Sequence, residues 1–158
     1  MRKSLKVGMG FGLASATITT LGLMIGLESS TGSRIAVLGG IMTIAIADAF
    51  SDALGVHIAK ESEGNFTHHE VWQATWATFL FKAIFASTFL IPVILLPLAP
   101  AIIIAIAWGF FILFIQSYLL ARSENKKIWP IVSEHLLIAI LVIVITHYLG
   151  HLVSLVLK

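Results

Sequence analysis

The sequence predicts an all-α polytopic membrane protein, one five-helix transmembrane domain over residues 1–158, assembled as a homodimer. Composition, segment length and charge placement carry the fold class. Of 158 residues, 58% are hydrophobic and 11% charged, with a mean hydropathy of +0.99. Soluble domains run at roughly 45–50% apolar and about 25% charged. So few charges cannot coat a globule of this size. This excludes an ordinary soluble domain, a disordered chain and a nucleic-acid binder, and makes the lipid bilayer the surrounding phase. There is no cysteine, which excludes disulfides, thiolate metal sites, Fe–S clusters and cysteine nucleophiles.

Crossing ~30 Å of hydrocarbon takes about 20 helical residues, and five segments qualify. Val7–Leu27 carries no charge, and Ile35–Ile58 carries only Asp48 and Asp52. Val71–Leu96 carries only Lys82, and Leu98–Ala121 carries none. Ile131–Leu157 holds Glu134 and His135 near its start and His147 and His151 further on. Residues 71–121 form one apolar run too long for a single crossing. Pro97 and Pro100 divide it, because proline lacks a backbone donor and disfavours helix just before it. The apolar core of residues 7–27 is longer than the ~7–15 residues of a signal peptide, so it is expected to be a span.

Short loops set orientation through Lys and Arg. Arg2, Lys3, Lys6, Lys60, Arg122, Lys126 and Lys127 fall on one side, and Arg34 and Lys158 on the other. The N-terminus is therefore expected in the cytoplasm and the C-terminus outside. Trp72, Trp76, Tyr118 and Trp129 then lie near the inner interface. An odd number of spans offers no matching halves, so a symmetric site requires a homodimer.

Gly8, Gly12, Ser15, Thr19, Gly22 and Gly26 make a small-residue stripe on the first span, with two G-x-x-x-G motifs. Such a stripe is a helix-packing face, either inside one bundle or at a dimer axis. On the second span Asp48 and Asp52 share one face, four residues apart, beside Ser51 and Gly55. Each aspartate costs ~2.5–3.5 kcal/mol at mid-helix, and intramembrane carboxylates mark ion or proton pathways. Their oxygens suit hard cations such as Mg²⁺, Mn²⁺, Ca²⁺ or Fe²⁺. The simpler reading is a buried ion pair with Lys82, which lies at similar depth if the second and third spans are antiparallel. One lysine leaves one carboxylate uncompensated. Lys82 otherwise snorkels to the interface on its long stem.

The loop from Lys60 to Glu70 offers Glu61, Glu63 and His68, with His57 nearby, as a divalent-cation collector. Thr67 and Glu70 also spell a capping box at the start of the third span. His147 and His151 have metal-ligand spacing but no evident third ligand. Gln116 and Ser117 read as polar residues near the inner interface. No Walker loop, G-x-S-x-G or H-E-x-x-H motif occurs. No cofactor is therefore expected and no enzyme.

Two segments together resemble the vacuolar iron transporter (VIT) family. They are Gly12-Leu13-Ala14-Ser15-Ala16-Thr17 through Gly26, and Gly39-Gly40 followed by Ala47-Asp48-Ala49-Phe50-Ser51-Asp52-Ala53-Leu54-Gly55-Val56-His57-Ile58-Ala59-Lys60-Glu61-Ser62-Glu63. The turn Leu96-Pro97-Leu98-Ala99-Pro100 and the ending Thr146-His147-Tyr148-Leu149-Gly150 are similar to its later parts. The resemblance implies five helices, a cytoplasmic N-terminus, a dimer, and a divalent-metal pathway lined by the first two helices at the dimer axis. The family's ligand set is largely replaced. Phe11 stands where the family has Asp, Asp52 where it has a metal-contacting Met, and Ile44 and Val56 where it has Glu. Asp48, Ser51 and Asp52 then form a relocated site, and the long cytoplasmic segment of some members shrinks to Ala59–Glu70.

The expected function is transport of divalent metal, Fe²⁺ or Mn²⁺, coupled to protons, with the metal as cargo. The alternative is a non-transporting membrane scaffold with a structural Asp–Lys pair. An intramembrane enzyme has only carboxylates and histidines in its favour.

Overall fold

The computed structural model describes residues 3–156; Arg2 and Lys158 of the charge count, and Leu157 at the end of the fifth predicted span, lie outside the described residues. The described chain is all-helical. Helix α1 runs over Lys3–Thr31, α2 over Arg34–Thr43, a π-helical turn over Ile44–Asp48, and α3 over Ala49–Ser62. Then come α4 (His68–Thr88), α5 (Leu90–Leu95), α6 (Leu98–Ser123) and α7 (Ile128–Val156). Among the described residues five helical stretches are long and apolar enough to cross a membrane: Ser4–Thr31, Arg34–Ser62, His68–Leu95, Leu98–Ser123 and Ile128–Val156. Each contains its predicted span within a few residues. Lys6, Lys60, Arg122, Lys126 and Lys127 gather at one end of the bundle and Arg34 at the other.

The boundaries have local causes. Ser33 caps α2 by accepting from the Ala36 amide at 3.3 Å, and Gly32 supplies the left-handed turn before it at φ +58°. Thr67 and Glu70 form the predicted capping box at α4, with the Thr67 amide donating to Glu70 Oε2 at 3.0 Å. The third span breaks between Thr88 and Leu90 because the Pro92 ring conflicts with the carbonyl four residues earlier, that of Thr88. The Thr88 hydroxyl turns back onto the Phe85 carbonyl at 2.6 Å and accepts from Trp108 Nε1 at 2.9 Å. The turn predicted at Pro97 is sharp. Leu96 is extended, and α6 starts at the next residue but one. Arg34 ties the same end together by donating to the Val93 carbonyl at 2.6 Å and to the Ile94 carbonyl.

Helix α1 is the axis of the bundle. Its most apolar window is 44% buried, against 11% for the fifth span. Leu21, Met24 and Ile25 of α1 meet Val37, Ile41, Phe89, Val93, Ala101, Ala105 and Ile112 in the main core. The glycine stripe makes this possible. A Cβ on Gly12 would stand 2.6 Å from the Thr78 carbonyl oxygen, and Gly8 faces the Ala74 carbonyl. Higher up, Gly22 meets Val142 and Gly26 meets Thr146 of α7. The stripe therefore packs inside one chain, first on α4 and then on α7, which decides between the two expected readings in favour of packing within one bundle rather than at a dimer axis.

The second span carries the opposite feature. Its buried positions Val37, Ile41, Ala45, Ala49 and Ala53 recur every four residues, a step at which an ideal α-helix drifts by about 40°. The π turn at Ile44–Asp48 takes up that drift. The Ala49 amide bonds to the Ile44 carbonyl five residues back, so one extra residue enters the turn. π-bulges of this kind are frequent at functional sites. The exposed side of the span carries two rows at the same spacing, a small one of Gly39, Thr43, Ala47, Ser51, Gly55 and Ala59 and a large apolar one of Met42, Ile46, Phe50, Leu54 and Ile58.

Gly12→Ala should lower the thermal midpoint in detergent, because overpacking of a close contact costs ~1–3 kcal/mol. Gly10→Ala, whose Cβ has its nearest neighbour at 4.0 Å, should leave it unchanged. Equal midpoints for the two variants would refute the close α1–α4 packing.

Candidate intramembrane charged site

Three spans deliver four polar side chains to one point inside the bundle. Asp48 closes the π turn, Asp52 lies one turn further on α3, Lys82 projects from α4, and Ser15 comes from α1. Lys82 is 1% exposed, so its ammonium is enclosed and does not reach the interface. Lys82 Nζ lies 2.5 Å from Asp52 Oδ2 and 2.5 Å from Asp48 Oδ2. It also donates to Ser15 Oγ at 3.0 Å, while Ser15 Oγ donates to the same Asp52 Oδ2 at 2.6 Å. The Asp52 contact has hydrogen-bond geometry. The Asp48 contact does not, and its Oδ2 is held by charge alone.

The antiparallel second and third spans thus bring Asp48, Asp52 and Lys82 to one depth, as their positions in the sequence suggested. Ser15 was legible only as a member of the small stripe. Its hydroxyl both donates and accepts here, and the one hint in the sequence is its place at the depth of Asp52. The centre holds two carboxylates and one ammonium. The ammonium is sealed, whereas the side chains of Asp48 and Asp52 keep 36% and 21% of their surface open. The excess negative charge therefore lies toward the exposed face of the second span.

The remaining candidate ligands do not join this centre. Ser51 is exposed beside Asp52. Glu63 pairs with Lys60 at 2.7 Å, and Glu61 is exposed at the end of α3. His68 accepts from Trp72 Nε1 at 3.2 Å. His57 Nδ1 meets Thr75 Oγ1 at 2.9 Å. That hydroxyl already donates to the Val71 carbonyl, so His57 is the donor in this contact. Glu63, His68 and His57 thus each take a local partner. His147 is held by Ser29 at 2.7 Å, and His135 by Ser117 at 2.7 Å. Among the described residues no three His, Asp or Glu side chains converge to hold a metal.

No family model, curated protein or solved structure matches the chain. Of the residues standing at the VIT ligand sites, Phe11, Ile44 and Val56 carry no donor atoms on their side chains, whereas Asp52 does. Phe11 is 45% exposed, and Ile44 and Val56 are buried in the bundle. Asp48, Asp52, Ser15 and Lys82 are therefore the polar groups through which the first three spans can handle charge at this depth.

The geometry sets an order of costs. Lys82→Met strands two carboxylates, whereas Asp52→Asn leaves Lys82 paired with Asp48. Breaking a buried pair costs ~3–5 kcal/mol. Lys82→Met should therefore lose more unfolding free energy than Asp52→Asn, and the double variant should recover part of the loss. Additive effects in that cycle, measured by unfolding in detergent, would show that the pair is not coupled.

Proposed function

We propose that this chain is a membrane carrier of divalent metal cations, Fe²⁺ or Mn²⁺, exchanged against protons and working as a homodimer with its N-terminus in the cytoplasm. The observation that carries the reading is the enclosed Lys82 ammonium, seated as a tethered cation between two hard carboxylates. Such a centre has two occupied forms. In one the lysine, together with a proton, balances Asp48 and Asp52. In the other a dication takes the proton's place on the carboxylate oxygens and competes there with the ammonium, leaving the centre with one net positive charge. Lysine competition weakens metal binding, which release on the far side requires.

The dimer follows from exposure. A carboxylate facing lipid at mid-membrane is costly, and such groups face an interior or a watery cavity. Asp48 lies on the side of the second span that the protomer leaves open, next to the small residues Thr43, Ala47 and Ser51. Small residues allow close helix approach in a bilayer. A second copy packed on the part of this face at Thr43 and Ala47 covers Asp48, brings the two charged centres toward one axis, and leaves Gly55 and Ala59 open toward the Lys60 end. The resemblance of residues 39–63 to the VIT second helix supports the same arrangement, and the concentration of Lys and Arg at one end supports the cytoplasmic N-terminus.

The scaffold reading is favoured by one observation: Lys82 finds its counter-charges and Ser15 within a single protomer. Transport separates the two. Purified protein in proteoliposomes should take up Mn²⁺ above empty vesicles, and Asp52→Asn should abolish the uptake. Lys82→Met should show a larger Mn²⁺-dependent thermal stabilisation than the parent. Uptake no higher than in empty vesicles, with no Mn²⁺ effect on either variant, would leave the scaffold. For the dimer, Thr43→Cys in this cysteine-free chain should form an inter-copy disulfide in membranes, and Ile140→Cys on the exposed face of α7 should not. The reverse pattern would move the interface to the fifth span.

A further inference from the structure

We propose that the groove between the first and second spans is a one-sided aqueous path to Asp52 within each protomer, with the Lys60–Glu63 pair at its mouth. Its part in cation passage rests on the carrier reading, but the path itself does not. The groove has a volume of about 380 Å³, room for several waters at ~30 Å³ each in the liquid. Its floor on the second span is Ser51, Asp52, Gly55, Val56, Ala59, Lys60 and Glu63, and Val7 and Phe11 of α1 form the facing wall. Polar groups thus stand at both ends, and the middle runs over Gly55, Val56 and Ala59. A Cβ on Gly55 would have no neighbour within 4 Å.

The other side of the charged centre is shut. Ile44, Ala45, Ala16 and Ala86 form a buried apolar cluster, closed further by Leu23 and Phe85. These residues lie beyond Asp48, Ser15 and Lys82 in the direction away from the Lys60 end. Along the bundle axis the centre is therefore reached from the Lys60 end only. At that end Lys60 is pinned in the lining of the mouth. Its ammonium pairs with Glu63 at 2.7 Å and sits 4.4 Å from the centre of the Phe66 ring. Glu63 cancels the lysine charge at the mouth, so the field along the groove is set by the one negative charge that the centre of Asp48, Asp52 and Lys82 carries in excess. A negative field between low-dielectric walls concentrates cations and raises their on-rates, by roughly 10-fold at the low end of such effects.

The absence of cysteine makes the test direct. Gly55→Cys in sealed proteoliposomes is treated with membrane-impermeant thiosulfonates, one cationic and one anionic, from each side. Asn65→Cys in the loop between α3 and α4 marks the side. Leu80→Cys, exposed on α4 at a similar depth, serves as the lipid-facing control. Gly55→Cys should react only from the Asn65 side, far faster than Leu80→Cys, and roughly tenfold faster with the cationic reagent. Adding Glu63→Gln should free the Lys60 charge and erase that preference. Reaction as slow as at Leu80→Cys would make the groove a lipid-filled valley and overturn the path. Reaction from both sides would overturn its one-sidedness. A charge preference unchanged by Glu63→Gln would remove the pair from the mouth. None of these outcomes depends on metal uptake, so the path stands or falls separately from the carrier.

Discussion

An ammonium enclosed among membrane-spanning helices has to find every partner inside the protein, because the bilayer supplies no water to replace them. Lys82 meets that demand through Asp48, Asp52 and Ser15. These residues sit on three different spans, so the contact fixes the relative depth of all three. The close approach of α1 to α4 is its companion. Gly8 and Gly12 bring the backbones together just below Ser15, and a wider separation would leave the serine short of the lysine.

The same constraint shapes the second span. Two carboxylates must face one ammonium while the apolar residues on either side of them face the core. The π turn at Ile44–Asp48 allows both, since it resets the helix where the four-residue seam would otherwise rotate away. Its consequence is an outer face that is also in register, with small residues every fourth position and the open edge of Asp48 among them. The protomer is thus closed around its positive charge and open on its excess negative charge. That imbalance is the reason for reading the centre as a cation site completed by a second copy.

Polarity along the bundle axis adds a direction. Alanines and Ile44 pack tightly on one side of the charged centre. On the other side Ser51, Gly55 and Ala59 leave room down to the Lys60–Glu63 pair. Side chains are small on both sides, so the difference comes from which face of the second span the bundle covers: Ile44 and Ala45 are buried, and Ser51, Gly55 and Ala59 are exposed.

Position along the membrane normal was legible in the sequence. Hydropathy placed the spans, Pro97 placed the turn between the third and fourth, Thr67 and Glu70 capped α4, and Lys82 could be matched in depth to Asp48 and Asp52. Each of these depends on one helix and its length. Rotation about the helix axis was not legible, because lipid is as apolar as the core and every face of such a helix looks alike to hydropathy. Only the tertiary structure turned the glycine stripe of α1 toward α4 and α7. It also drew Ser15 from a packing role into the charged network. Glu63 and His68, close in sequence to the other candidate ligands, went to nearer partners in Lys60 and Trp72. Depth is a property of a single segment, whereas azimuth exists only once a neighbouring helix is there to be faced.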